Sequence, residues 1–171
     1  RPITGDHGFY VLVEMQGMET ELDAPRFERW LETQFTAGLI EDAAIAQSGA
    51  DIAAFWRTRD AAGEFGAVLG EHSSYDIGLP VGAMDDFASE CRAALGDALP
   101  GCLSVYYGHI GDGNMHIVAL VPGAATHPGK AISEIVYRMV GKFGGTISAE
   151  HGIGLVKKPY LPLSRTPAEL A

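Results

Sequence analysis

Apolar residues recur along the chain with two spacings, one close to a helical turn and one that alternates or runs continuously as in a strand. Phe9 to Met15 (Phe-Tyr-Val-Leu-Val-Glu-Met) is aromatic and β-branched, which predicts a strand. Asp23 is placed to cap a following helix, with Pro25 tolerated in its first turn. Phe27, Trp30, Leu31 and Phe35 then repeat at helical spacing until Gly38 ends the pattern. Ala43 to Ala46 predicts a short strand. Ile52, Phe55, Trp56 and Arg59 mark one face of a second helix, and residues 61–72 read as a loop.

The second half is more regular. Tyr75 to Leu79 predicts a strand ended by Pro80, and Met84, Phe87, Ala88, Cys91 and Leu95 a helix. Leu103 to His109 and Met115 to Val121 read as two strands. Ile132, Ile135, Val136, Met139 and Phe143 give another helix, closed by Gly144-Gly145, and Thr146 to Ser148 opens a last strand. The order over 75–148 is β-α-β-β-α-β, the ferredoxin-like pattern, with an antiparallel sheet and helices. The first half reads as a β-α-β-α extension of the same layer. A single α+β domain over residues 1–171 is the expectation.

Composition narrows the function classes. Twelve Lys plus Arg against 22 Asp plus Glu leave a net charge of −10. That argues against a general nucleic-acid binder, which needs a basic face, and gives no basic stripe for an anionic membrane surface. The two cysteines, Cys91 and Cys102, make neither a disulfide framework nor a zinc-type pair. Glycine is in excess, 22 of 171 residues against a usual fraction of about 7%. Residue 1 is Arg and not Met, so the chain is expected to continue upstream as part of a longer protein.

The glycines cluster around the segments that carry chemistry. In Gly108-His109-Ile110-Gly111-Asp112-Gly113-Asn114-Met115-His116, an Asp-Gly pair between two apolar runs signals a tight hairpin. A two-residue turn at Asp112-Gly113 would place His109 directly opposite His116 on one face, with Cβ atoms about 4.5–5.5 Å apart. The rest of that face is Leu103, Val105, Tyr107, Val118 and Leu120. Two imidazoles there would find few polar partners, and a shared metal ion would satisfy both. Ser148-Ala149-Glu150-His151-Gly152-Ile153-Gly154 sets a carboxylate beside an imidazole where a strand gives way to glycines. His109, His116 and Glu150 would form a two-His-one-carboxylate set suited to zinc or another divalent metal, with His151 left as a base. Read singly, Glu150 could equally be a solvated strand-end charge and His151 a turn residue. Arg59 could hold a substrate carboxylate, or lie along the surface. Lys157-Lys158 reads as a solvated pair.

Gly-His-Ile-Gly-Asp-Gly-Asn-Met-His and Ser-Ala-Glu-His-Gly-Ile-Gly closely resemble signatures of the C-terminal domain of FAD-linked oxidases of the vanillyl-alcohol-oxidase type. That group includes D-lactate dehydrogenase, the FAD subunit of glycolate oxidase and D-2-hydroxyglutarate dehydrogenase. Fainter echoes are Phe9 to Glu14, Trp56-Arg57-Thr58-Arg59-Asp60 and Tyr75-Asp76-Ile77-Gly78-Leu79-Pro80. The resemblance implies a substrate and cap domain working against an N-terminal FAD-binding domain that carries most of the flavin pocket. It implies His109, His116 and Glu150 as ligands of a divalent metal, commonly zinc. It implies His151 as the base that takes the hydroxyl proton, and Arg59 as the holder of the substrate carboxylate. The implied partners are a small 2-hydroxy acid and an electron acceptor; a homodimer is a further expectation, from an uncovered sheet edge. The implied location is the bacterial cytoplasm or the mitochondrion, with peripheral membrane contact through the acceptor.

Departures from the pattern bear on the substrate. The 2-hydroxyglutarate branch resembles this chain but tends to carry Thr, Lys and Asn where Gly63, Ser74 and Val118 stand here. Their loss removes partners for a second carboxylate and favours a D-lactate- or glycolate-like acid. Two other readings use the same His/His/Glu set: a free-standing metal-binding module, and a metallohydrolase with His151 beside a bound water.

Overall fold

A computed structural model describes residues 3–171. The chain divides into two compact units, Arg1–Phe65 and Gly66–Ala171.

The N-terminal unit is helical. Helix α1 spans Thr20–Thr36 and α2 spans Gly49–Asp60. Helix α1 starts earlier than the sequence suggests. Asp23 lies inside the first turn and its carboxylate accepts the Glu19 backbone N–H at 3.2 Å, so it still satisfies a helix-end donor. Gly38 takes φ +70° just after α1, the left-handed conformation that ends helices readily at glycine. Helix α2 is capped by Ser48, whose hydroxyl accepts the Asp51 N–H at 3.2 Å.

The two strands expected in this unit do not form. Phe9–Met15 and Ala43–Ala46 lie outside every strand, and Phe9 is 74% exposed. The β-propensity of Phe-Tyr-Val-Leu-Val reports fit to a pleated, half-buried surface. Among the described residues no ladder supplies that surface. The β-α-β-α extension is therefore two helices joined by irregular chain. The expected loop at 61–72 is also partly helical: a 3₁₀ turn at Ala61–Glu64 runs into a short helix, α3, at Phe65–Leu69.

The C-terminal unit holds the sheet. Strand β1 is Ser73–Gly78, followed by helix α4 at Met84–Ala98, strand β2 at Leu103–His109, strand β3 at Asn114–Leu120 and helix α5 at Gly129–Lys142. A short helix, α6, follows at Pro167–Leu170. The sheet is antiparallel in the order β1-β3-β2. The expected last strand shrinks to one antiparallel bridge, Gly78 with Thr146, on the outer side of β1. The position is the ferredoxin-like one, but the chain leaves the ladder at once. The fold class is α+β.

One sheet face builds the core. Tyr75, Ile77, Met115, Ile117 and Ala119 point toward Phe87, Cys91 and Leu95 of α4 and Ile132, Val136 and Val140 of α5, all buried. Phe87 meets Phe143 edge to face, ring centres 5.7 Å apart. Cys91 and Cys102 are both free thiols.

The hairpin between β2 and β3 differs from expectation in register. The ladder pairs His109 with Asn114 and Tyr107 with His116. Residues 110–113 form a four-residue loop and not a two-residue turn. The type I′ turn needs φ > 0 at both central residues. Here only Gly113 of the pair has it, at +74°, and among the described residues no non-glycine residue does. Asp112 instead folds its carboxylate back to accept the Asn114 N–H at 3.0 Å, an Asx turn. The register moves by two residues, so every side chain keeps its face.

Gly113 also docks the hairpin: its carbonyl accepts the Leu79 N–H at 2.8 Å, and a Cβ there would run into the Leu79 carbonyl oxygen. Gly113→Ala is expected to cost about 2–5 kcal/mol, from left-handed strain and overpacking against backbone. Chemical denaturation of the two forms reads this, and a loss below 1 kcal/mol would count against the docking role.

Candidate functional site

The sheet face opposite the core carries the chemistry. His109 lies at the end of edge strand β2, and His116 sits in the central strand β3. They are diagonal neighbours and not direct cross-strand partners, with ring centres 5.7 Å apart at 82°. Diagonal pairs are within reach for long or aromatic side chains. On the other side of β3, Asp76 of β1 is the direct partner of His116.

Beyond the Gly78–Thr146 bridge the chain turns over this face and brings in residues 148–151. His109, His116 and Glu150 each offer one ligand atom, and all three atoms lie within 4.8 Å of one another. A tetrahedral zinc with bonds of about 2.0–2.1 Å holds its donors about 3.4 Å apart. The set is therefore looser than a loaded site, and exposed Glu150 has the freedom to close it. His151 lies alongside, its ring centre 6.2 Å from that of His116. Arg59 belongs to α2 of the N-terminal unit, where it pairs with Asp60 at 3.1 Å and its guanidinium lies 5.9 Å from the Trp56 ring centre.

Buried polar groups form the floor. Asp76 is 2% exposed and Asn114 3%. One carboxylate oxygen of Asp76 accepts the backbone N–H groups of Ala149, Glu150 and His151 at 3.2, 2.9 and 2.9 Å. Burial works to raise the Asp76 pKa, but those N–H bonds and nearby His151 outweigh it and hold the carboxyl below its ordinary value. The other oxygen, Oδ1, has no hydrogen-bond partner among the described residues, nor do the two amide atoms of Asn114. Orphaned polar atoms beneath a ligand cluster are what a site for an ion with its waters, or for an oxygen-rich substrate, leaves behind.

Charge around the cluster is balanced locally. Burial pushes the His116 pKa down, opposed by Asp76 and Glu150, so the ring favours the neutral form that binds metals. Lys157 is not the solvated cation its sequence context suggests. Its side chain is 15% exposed, its ammonium donates to the Ser148 hydroxyl at 2.9 Å, and it lies 4.0 Å from Asp76. Asp76 and Lys157 are the residues the motif reading passed over. A signal for Asp76 was present: one acid inside the otherwise apolar run Tyr75 to Leu79.

A family profile described as FAD linked oxidases, C-terminal domain, matches residues 1–171. The chain belongs to that family. It is 36% identical over 99% of its length to D-2-hydroxyglutarate dehydrogenase of Xanthomonas citri pv. viticola, covering 37% of that protein. It is 34% identical over 99% of its length to the mitochondrial D-2-hydroxyglutarate dehydrogenase of Arabidopsis thaliana, covering 30% of it. A mitochondrial protein of Schizosaccharomyces pombe whose name carries D-lactate dehydrogenase is 32% identical over 97% of the chain, which covers 33% of it. The chain thus spans about a third of the length of these relatives. The family's description names FAD linkage, and the names of the relatives carry D-2-hydroxyglutarate or D-lactate dehydrogenase. Its relatives include bacterial and mitochondrial proteins. Among the described residues no helix is long and apolar enough to cross a membrane.

Proposed function

We propose that this FAD-linked oxidase domain is the substrate- and metal-binding part of a D-2-hydroxy-acid dehydrogenase. The observation that carries the reading is the convergence of His109, His116 and Glu150 with His151 beside them, above a floor of unpaired buried polar atoms. A divalent ion bound there, with zinc the first choice, would supply Lewis acidity toward the substrate hydroxyl, and FAD would supply the hydride acceptor. The two imidazoles and the Glu150 carboxylate would hold the ion. His151, 66% exposed at its side chain, accepts the hydroxyl proton. Arg59 binds the substrate carboxylate as a bidentate partner. The N-terminal FAD-binding domain and an electron acceptor complete the reaction, in the bacterial cytoplasm or the mitochondrion. A homodimer stays part of the reading because β2 stands at an edge of the sheet order β1-β3-β2.

The substrate is a small acid such as D-lactate or glycolate. Ser74 and Val118 are direct cross-strand partners, one step along the same face from Asp76 and His116. That step is about 7 Å, the reach of a substrate's far end. Val118 is buried there and offers no hydrogen bond, and Ser74 brings only a neutral hydroxyl, so this pair gives a second carboxylate no charged partner. Steady-state kinetics of the intact protein with a dye acceptor are expected to give kcat/KM at least about 10-fold higher for D-lactate than for D-2-hydroxyglutarate. The reverse preference overturns the substrate assignment. Ester or amide hydrolysis by flavin-free protein, with no flavin reduction by either acid, would favour the metallohydrolase instead.

A further inference from the structure

The segment that carries Glu150 and His151 has left the sheet. After the Gly78–Thr146 bridge it belongs to no strand or helix until residue 158. Loops of this kind place side chains loosely unless something ties their backbone down. Glycines at 152 and 154, with φ +71° and +53°, give it further freedom.

One residue supplies the tie. The Oδ2 atom of Asp76 takes three consecutive backbone donors, at Ala149, Glu150 and His151. Successive N–H groups converging on one point make an anion-binding concavity, and here the anion is a side chain of the neighbouring strand. Ser148 reinforces the loop by donating to the Gly152 carbonyl at 2.9 Å. The second oxygen of Asp76 faces Nδ1 of His116 at 4.0 Å, and Nδ1 of His151 lies 4.0 Å from Oδ2. Asp76 itself sits in β1, directly paired with His116 in the ladder. A single carboxylate therefore touches or faces three of the four residues of the site.

We propose that Asp76 is the positioning residue of this site: its carboxylate, by gathering the N–H groups of Ala149, Glu150 and His151, holds the third ligand and the base in place over the strand that presents His116. The inference rests on the metal-site reading above. Outer partners that orient ligands typically change metal affinity 10–100-fold when removed.

The test uses the intact protein and Zn²⁺ alone, with affinity measured by chelator competition. Hydrogen–deuterium exchange of the peptide covering 147–153 is followed alongside. Asp76→Asn keeps an acceptor oxygen but loses the charge, and Asp76→Ala loses both. The expected order of zinc affinity is wild type, then Asp76→Asn weaker by 10–100-fold, then Asp76→Ala weaker still. Amides at 149–151 should exchange faster in both variants while those of β3 stay protected. Partial rescue by Asn separates positioning from general disruption, and Asp76→Asn carries the test if Asp76→Ala does not fold. Unchanged zinc affinity in Asp76→Asn and Asp76→Ala overturns the proposal, as does unchanged exchange at 149–151. A wild-type protein that takes up no zinc overturns the metal reading instead. In that event faster loop exchange in the variants still upholds the hold of Asp76 on the loop.

Discussion

His116→Ala is expected to weaken zinc binding by about 100-fold or more, beyond the range seen when only an outer partner is lost. His116 is one of the three candidate donors and sits on the central strand, where the ladder on both sides fixes its backbone. The ring of Tyr107, 5.2 Å away, limits its swing. His109 and Glu150 alone leave two donors, too few for a catalytic zinc site of the usual three. The fold should survive, because His116 points away from the core made by Ile117 and its neighbours. Metal analysis of wild type and variant, purified without chelators and titrated with Zn²⁺, reads the difference. Equal affinity in the two forms would remove His116 from the ligand set.

His151→Gln is expected to lower kcat by about 10²–10⁴-fold while zinc affinity stays near that of wild type. The two effects separate because His151 stands beside the ligand cluster without belonging to it. Gln keeps a hydrogen-bonding tip but cannot take a proton near neutral pH. Single-turnover flavin reduction by D-lactate in the intact protein isolates this step from reoxidation. A variant that reduces its flavin at the wild-type rate would hand the proton to another group.

Much of the site can be read in the sequence because side-chain alternation tolerates an error of register. The Asp112-Gly113 pair suggests too tight a turn, yet a shift of two residues leaves His109 and His116 on the same face. The helices α4 and α5 are legible for a similar reason: a buried stripe such as Phe87, Cys91 and Leu95 repeats with the helix turn. Phe9–Met15 is not, since strand propensity depends on a partner that a local pattern does not contain. Asp76 escapes for a different reason. It acts on backbone N–H groups more than 70 residues away, which have no side-chain signature in the sequence. Lys157 reads as solvent-exposed because its partner, the Ser148 hydroxyl, is brought to it by the loop.

The three candidate ligands come from supports of unequal stiffness. His116 is on the middle strand, His109 on an edge strand beside a glycine-rich turn, and Glu150 on chain outside the sheet. Local opening starts where backbone is least tied into ladders, well below the free energy of global unfolding. Glu150 and His151 share that segment outside the ladders and the same tie to Asp76, so on the metal-site reading a fluctuation that breaks the tie would release the ion and withdraw the base together. A partly opened site would lack both at once, and would not be left holding a reactive centre exposed to water.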